Sequence, residues 1–593
     1  MIEQAPLFVS DRIRRLGPLA LLAGVALTGI EAMAYLKHDA WSLIASRVWV
    51  VHGTACLVFT VVAVAGVLRE DLRTKNLVVP LAIAWIAFLT FWRVGSFTNA
   101  QVNHEATQQV AEALRGAAQP DLRYTSSAFL GYPVRQYLLA AVPSMLMGRG
   151  LASLRLGYGA PFFLGVLVFY AGLRRHFRRE DPRGFASGLS ILLLTLFPYL
   201  VEYLRRFEQT ILPVSFTLQT LGWLLLVLEG AHLSGLFGLV WAGSLLGTSY
   251  TPSLASWLLL CGVLIVLIVR AGQIGGATAS VFWLAPTIPI VGFGLLSFVT
   301  REDLFKPGQD TIGIESGFEK LSEGFRVFFL GEPRSFVDPL LLLPVVVYLA
   351  MALVGRFGRL QFVLSWWAIG VVGVAVCLKG YAAPPPPFAI HRAIVVRPVL
   401  IFGLLRTALG RGTRWTGLLT LRASVLSAAV IGAFSLSDLF AVRESYRPRL
   451  VEHVLADLVQ VAHERGAPLE SISRVGIVSA SPDLENAHDY LVYFCPNAVE
   501  RRTWADVVSF STDPGFDLAY LDQGHYDFAA LGAGWVVQPL RFRLEDQRQV
   551  EVLRAFRDHR HRAGLVGIGN SGVGGPHANS RGGSTSASVP RRW

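Results

Sequence analysis

The chain has 593 residues, of which 53% are hydrophobic and only 16% are charged, and its mean hydropathy is +0.48. This composition excludes an ordinary soluble multidomain enzyme and makes a lipid bilayer the solvent for most of the chain. The formal net charge of +12 comes from arginine clusters between apolar runs, so it indicates membrane orientation and argues against nucleic acid as a partner. The four cysteines contain no CxxC pair and predict no disulfide framework.

Apolar runs recur from the N-terminus to about residue 436, and each is long enough to cross a hydrocarbon core of roughly 30 Å. They predict a polytopic α-helical membrane protein with about thirteen transmembrane helices. The expected spans lie near 17–36, 46–68, 77–95, 152–173, 185–203, 208–229, 233–250, 253–270, 280–299, 338–355, 360–378, 392–409 and 416–436.

The basic clusters predict the orientation of these spans. If the N-terminus is cytoplasmic, nearly every cluster falls on the cytoplasmic side, including the run LRRHFRREDPR at 173–183. The long polar segments then face outward. Only five of the 53 basic residues are lysine, and this preference for arginine indicates a bacterial genome, so the expected location is the bacterial plasma membrane. The predicted outer segments are the loop 96–151, the short loop around Glu202 to Glu208, the loops 300–337 and 379–391, and everything after residue 436.

Polarity rises after the last predicted span, and residues 437–567 are expected to form a small extracytoplasmic α/β domain. Its expected elements are a helix at 447–465, strands at 474–480, 489–494, 506–510 and 535–542, and a second helix near 545–558. Residues 568–593 are rich in Gly and Ser and have little to bury, which predicts a disordered tail. The transmembrane domain is accordingly expected to span 1–436.

Three predicted outer segments share an order and spacing that resemble the front half of the lipid-dependent GT-C glycosyltransferases, a superfamily that includes protein mannosyltransferases and bacterial aminoarabinose transferases. The segments are NHEA (103–106), the stretch 126–177 and the stretch 196–213. The resemblance covers roughly residues 75–300. The matching residues are Glu105 and Ala106 of an acidic motif, Gly131, Tyr132, Pro133, Leu138 and Leu139 of a proline-led segment, and Tyr203 and Arg205 of a Tyr-x-Arg signature.

The sequence departs from the family at two positions that bear on chemistry. His104 stands where the family usually has Asp, and Arg206 stands where Glu is common. Two further predicted spans also precede the family's usual first helix. These departures leave open an enzyme, a lipid-linked sugar transporter or flippase, and a GT-C-like scaffold without catalytic activity.

The resemblance implies transfer of a sugar from a polyprenyl-phosphate donor to a lipid, glycan or protein acceptor. Such transfer requires a base for the acceptor proton and cations for the departing phosphate. Glu105 is the candidate base, with His104 tuning it or sharing the proton. The candidate phosphate ligands are Arg205, Arg206, Tyr203, Arg392 and Arg397, and the candidate substrate contacts are Tyr132 and His391.

Each candidate also has a structural interpretation. Glu105 can begin an interfacial helix, where the helix dipole favours an acidic residue. Arg205 and Arg206 can be arginines that anchor the end of a span. Arg397 lies inside an apolar run, where an unpaired charge is expensive, so a functional role or an ion pair is expected there. No DxD or HExxH motif predicts a metal site, although a lipid phosphate could bring a divalent cation with it.

Overall fold

The computed structural model describes part of the chain. The described residues are 22, 25–26, 40–73, 76–92, 94–95, 107, 110–111, 114, 135–195, 200, 204, 211–229, 232–249, 350–351, 354, 362, 364–369, 397–410, 418–419, 421–423, 425–426, 429, 450–464, 466, 475–478, 493–494, 502–504, 507–511, 516, 518–522, 531, 535–543 and 549–557.

The chain divides into two compact units. The first comprises residues 1–95 and 105–443, and the second comprises residues 96–104 and 444–593. The boundary expected at 436 and 437 and the disordered tail expected from 568 stay predictions.

The described elements of the first unit are all helices. Their bounds are Ala40–Arg73 (α1), Val78–Phe91 (α2), Arg135–Met147 (α3), Leu151–His176 (α4), Phe185–Thr195 (α5), Ile211–Leu228 (α6), His232–Ser249 (α7) and Arg397–Leu409 (α8). With the exception of α3, which falls inside the predicted loop 96–151, each overlaps a predicted span. The expected spans at 17–36, 253–270, 280–299, 338–355, 360–378 and 416–436 lie wholly or mostly outside the described residues.

Among the described residues, α4 is the one helix both long and apolar enough to cross a membrane. Helices α2 and α5 and the stretch Ile211–Val227 are apolar but shorter.

The surfaces of α1 and α2 add a second observation. Large apolar side chains are exposed along both helices, on faces opposite to their buried residues, and they form stripes rather than scattered positions. Exposed apolar surface of this extent requires a non-aqueous neighbour, either lipid or another protein. The exposed residues are Val51, Leu57, Val58, Val61, Val62 and Leu72 on α1, and Leu77, Leu81, Phe91 and Trp92 at and beside α2.

Helices α4 and α6 pack closely because glycines face each other across their contact. A Cβ atom added at Gly172 would lie 2.7 Å from the carbonyl oxygen of Gly222, and one added at Gly165 would lie 2.6 Å from that of Ser215. Gln219 of α6 also donates a hydrogen bond of 3.0 Å to the Pro161 carbonyl of α4. Small residues and interhelical hydrogen bonds are typical of helix pairs in membranes.

The second unit contains a five-stranded mixed sheet with the order β2-β1-β3-β5-β4. The strands are Val475–Val478 (β1), Arg502–Trp504 (β2), Leu518–Asp522 (β3), Trp535–Arg543 (β4) and Gln549–Arg557 (β5). Strand β1 pairs in parallel with β2 and β3, whereas β5 pairs antiparallel with β3 and β4. Two described helices, Leu450–Glu464 (α9) and Val507–Ser511 (α10), belong to this unit.

The α/β class expected for the C-terminal region agrees with this sheet, but several individual predictions were wrong. The strand expected at 506–510 is helix α10, which buries Val507 and Phe510 three residues apart. The helix expected near 545–558 is strand β5, which pairs with β4 along its whole length and with β3 over residues 552–556. Tyr493 and Phe494, expected in a strand, are helical, and strands β2 and β3 were not predicted.

Candidate functional site

Most of the residues predicted to carry chemistry lie outside the described part of the chain. Arg397 is the exception: it is the first residue of α8 and is partly exposed, and it has an interaction within the structure. The candidates outside the described residues are His104, Glu105, Tyr132, Tyr203, Arg205, Arg206, His391 and Arg392.

The residues that follow Glu105 show how the chain continues from the candidate base. Thr107, Val110, Ala111 and Leu114 are helical, and all four are buried. Their spacing of three and four residues places them on one helix face. These four residues therefore form one buried face of a helix that follows Glu105 in the sequence.

The residue between the predicted phosphate ligands Tyr203 and Arg205 is Leu204, which is only 3% exposed. A Cβ atom added at Gly159 of α4 would lie 2.9 Å from Thr90 Cγ2 and 4.0 Å from Leu204 Cδ1. Thr90 lies in the last turn of α2, just before the first predicted outer loop. Leu204 thus lies beside α4 at the same level as the end of α2.

Arg155 lies one helical turn before Gly159 and was not singled out from the sequence. Its side chain is 2% exposed, and its Nη1 donates a hydrogen bond of 2.9 Å to the carbonyl oxygen of Val94. A buried guanidinium is costly unless its hydrogen bonds are satisfied, so this contact links the residues after α2 firmly to α4. The sequence feature that could have identified Arg155 is a single arginine near the start of an apolar run.

This end of α4, called the Arg155 end, therefore gathers three chain segments that are distant in sequence. They are the end of α2 with Val94 and Gly95, the first turns of α4, and Leu204. Gly95 contributes directly, because a Cβ atom placed there would lie 3.6 Å from Ala152 Cβ. The first turns of α4 and Leu204 belong to two of the stretches that carried the family resemblance.

The opposite end of α4, called the Arg174 end, contains a buried polar network. Arg174 Nε lies 2.7 Å from Asp71 Oδ1 of α1, and Tyr170 donates its hydroxyl hydrogen to the same carboxylate. The remaining Arg174 nitrogens donate to the carbonyl oxygens of Asp181 and Pro182, each at 2.9 Å. Every nitrogen of this guanidinium thus has a protein acceptor, so its role is structural.

The turn between α4 and α5 completes the Arg174 end. Asp181 Oδ2 accepts hydrogen bonds from both the backbone nitrogen and the hydroxyl of Ser187, which caps the start of α5. Gly184 adopts a φ of +69°, and a Cβ atom there would collide with the Arg174 side chain. The turn therefore requires glycine at this position for two independent reasons.

The second unit has a polar network of its own between α9 and the sheet. Asp457 of α9 accepts a hydrogen bond of 2.7 Å from the Tyr520 hydroxyl and one of 3.0 Å from Arg554 Nη1. Asp457 and Arg554 are mostly buried. Because Tyr520 and Arg554 are register partners on neighbouring strands β3 and β5, their hydrogen bonds to Asp457 position α9 on the sheet.

Also on α9, His453 is half-buried, and burial lowers the pKa of its imidazole below the usual value. No group of three or more His, Cys, Asp and Glu side chains that could hold a metal ion occurs within the described residues.

No family model matches the chain, and no curated protein matches it. Solved structures provide a distant likeness. The chain is similar to the crystal structure of ArnT from Cupriavidus metallidurans in the apo state, with 16% identity and a TM-score of 0.49, covering 80% of this chain and 97% of that one. A second structure of the same protein, bound to undecaprenyl phosphate, has the same identity and coverage and a TM-score of 0.47.

ArnT is an aminoarabinose transferase of the GT-C superfamily, the group that the sequence was found to resemble. At this identity and these TM-scores, the likeness assigns neither a family nor an activity to the chain.

Proposed function

We propose that the chain is a membrane glycosyltransferase that moves a sugar from a polyprenyl-phosphate donor to a lipid, glycan or protein acceptor on the extracytoplasmic face. Its location would be the bacterial plasma membrane, with the N-terminus in the cytoplasm and the C-terminal unit outside. The exposed apolar stripes of α1 and α2 support the membrane setting. The positions of the basic clusters in the sequence support the orientation.

The observation that carries the proposal is the packing at the Arg155 end. Leu204, from the predicted loop around Glu202 to Glu208, lies near Gly159 and Thr90, and Thr107, Val110, Ala111 and Leu114 form a buried helix face shortly after Glu105 in the sequence. A lipid phosphate and a polar acceptor can meet only where a span ends at the membrane surface. Loops gathered at one such end suit a transferase.

In the proposed reaction, Glu105 accepts the proton of the acceptor hydroxyl or amine while the acceptor attacks the anomeric carbon of the sugar. The bond between that carbon and the phosphate oxygen breaks, and the polyprenyl phosphate leaves with the bonding electrons. Its developing charge would be stabilised by arginines, since guanidinium groups bind phosphate oxygens through two parallel hydrogen bonds. The candidates for that role are Arg205, Arg206, Arg392 and Arg397, with Tyr203 beside them.

The remaining candidates would assist the base or contact the substrates. His104 would tune Glu105 or share its proton, and Tyr132 and His391 would contact the sugar or the acceptor. Arg155 is assigned a positioning role, because its side chain is buried and bonded to Val94 rather than directed to a substrate. A divalent cation could accompany the lipid phosphate, and no residue described in the structure is assigned to it.

The test is an assay of the purified full chain in proteoliposomes that contain a radiolabelled polyprenyl-phosphate sugar. The proposal predicts labelled acceptor and free polyprenyl phosphate in equal amounts when acceptor extract is added on the outer side. Movement of intact donor across the bilayer without a glycosyl product would instead identify a transporter or flippase. Neither transfer nor transport across a panel of donors and acceptors would identify a scaffold.

A further inference from the structure

The Arg174 end of the helical unit carries a dense group of exposed arginines that the proposed reaction does not use. They flank the buried Asp71 and Arg174 pair and belong to the last turn of α1, the last turn of α4 and the turn that follows it. This basic patch consists of Arg69, Arg73, Arg175, Arg178, Arg179 and Arg183.

Few acidic side chains offset this charge within the described residues. Arg178, which is 70% exposed, forms an ion pair with Glu70 at 3.2 Å, and Glu180 is paired with Arg406 at 3.8 Å. Asp181 is buried and is occupied by Ser187. The other arginines of the basic patch therefore present uncompensated positive charge at the surface.

An ion pair and several hydrogen bonds hold the backbone that carries the basic patch in place. The Asp71 and Arg174 ion pair joins α1 to α4, and Asn76 donates its side-chain hydrogen to the Arg183 carbonyl oxygen. Arg174 also holds the carbonyl groups of Asp181 and Pro182. A ligand that binds the exposed guanidinium groups would therefore meet a preformed backbone and would need to order only the arginine side chains.

Apolar surface begins directly beside the arginines. Leu72, between Arg69 and Arg73, is 63% exposed, and Leu77 at the start of α2 is 71% exposed. The exposed stripe of α1 continues from there along the helix through Val62 and Val58. Positive charge at one level and exposed aliphatic side chains at the next match the two parts of an acidic phospholipid, a phosphate headgroup and its acyl chains.

We propose that the basic patch is a binding site for anionic phospholipid, with the headgroup phosphate on the arginines and an acyl chain along Leu72 and Leu77. Free inorganic phosphate would satisfy the arginines but would leave the apolar surface without a role, so the lipid is the better fit. The site lies at the Arg174 end of α4, opposite the Arg155 end. It does not depend on transferase activity.

The test is lipid binding by the purified full chain in detergent, with bound lipid counted by native mass spectrometry during titration with phosphatidylglycerol or phosphatidylcholine. The wild-type protein is expected to retain phosphatidylglycerol in preference to phosphatidylcholine. The double variant R175Q/R179Q should bind it at least about tenfold more weakly, because each arginine near an anionic membrane surface contributes about 1 kcal/mol. The matched control R541Q/R543Q removes the same charge from strand β4 and should bind as the wild type does.

Two further arms separate the alternatives. The variant R175K/R179K keeps the charge, and it should retain most of the binding if the first variant loses affinity through charge rather than misfolding. Inorganic phosphate at millimolar concentration should not displace the lipid. Equal retention of phosphatidylcholine, an equal loss in the control variant, or full displacement by phosphate would each overturn the proposal.

Discussion

Arg174 and Asp71 form an ion pair in which Arg174 Nε lies 2.7 Å from Asp71 Oδ1, and both side chains are at most 3% exposed. The pair joins the ends of α1 and α4, which are separated by about a hundred residues of sequence. Each charged group is the other's ionic partner. Tyr170 also donates a hydrogen bond to the Asp71 carboxylate, and two backbone carbonyl groups accept hydrogen bonds from Arg174. The Arg174 end of the unit therefore depends on each partner.

Replacement of Asp71 by Asn should destabilise the helical unit strongly. The change leaves the Arg174 guanidinium buried without a counter-charge, which costs about 3 to 5 kcal/mol in comparable cases. Thermal unfolding of the full chain in detergent would measure the loss. Glu70→Gln is the matched control, because it breaks the exposed pair with Arg178 and should cost less than about 1 kcal/mol. Similar losses in both variants would contradict this account.

The contact between α4 and α6 predicts that Gly172→Ala is destabilising. The added methyl group would lie 2.7 Å from the Gly222 carbonyl oxygen, so the helices must separate, at a cost of about 1 to 3 kcal/mol. Gly66→Ala in α1 has nothing within 4 Å of the new atom and should be neutral or stabilising by roughly 0.5 to 1 kcal/mol. Melting temperatures in the same detergent would compare them. An unchanged Gly172→Ala protein would show that the crossing is looser than described.

Arg155→Leu should reduce transfer more than it reduces stability, if the proposed function is correct. Loss of the hydrogen bond to Val94 releases the residues that lead into the first predicted outer loop, and misplacement of a reacting group can cost roughly a hundredfold in rate. Turnover and KM for the donor, measured beside the melting temperature, would separate the two effects. Arg155→Lys keeps a donor and should recover part of the turnover. Full activity in the leucine variant would remove the positioning role.

The pKa of His453 predicts a pH-dependent stability of the second unit. Burial lowers this pKa, so the folded protein keeps the imidazole neutral while the unfolded chain takes up a proton below about pH 6.5. The contribution of the neutral imidazole to the free energy of unfolding is complete above pH 6.5. It is lost as the pH falls from there through the pKa of the folded state. The slope for one proton is at most about 1.4 kcal/mol per pH unit.

Hydrogen exchange of the amides in α9 and β3 of the full chain, corrected for intrinsic rates at each pH, would measure this slope. His453→Gln should flatten it, whereas His463→Gln, an exposed position on the same helix, should leave it unchanged. Equal slopes in the wild-type and His453→Gln proteins would contradict the assignment.

The sequence predicted the long helices well, because an apolar run of about twenty residues has few alternatives in a membrane protein. It failed for short elements of the second unit. The run at 506–510 contains β-branched residues that favour a strand, yet a single helical turn there buries Val507 and Phe510. The sequence of strand β5 is rich in charged residues, which led to the prediction of a helix. Pairing with both β3 and β4 overrides this local helix preference.

The candidate site was predictable only in part for a related reason. Lone charges in apolar runs can be read from the sequence, and this criterion selected Arg397, while Arg155 was overlooked. That Leu204 packs beside Gly159 and Thr90 depends on how three helices meet, and no local pattern contains that information. The order β2-β1-β3 of the parallel strands is likewise a long-range property.

The most direct test of the proposed function is the rate of sugar transfer by the wild-type chain, Glu105→Gln and Glu112→Gln in the same reconstituted membrane. Glu112 lies in the same short stretch as Glu105, and no role is assigned to it. The account predicts a loss of about a hundredfold or more for Glu105→Gln, as expected for a general base, and near wild-type turnover for Glu112→Gln. A correctly folded Glu105→Gln protein with undiminished transfer would contradict it.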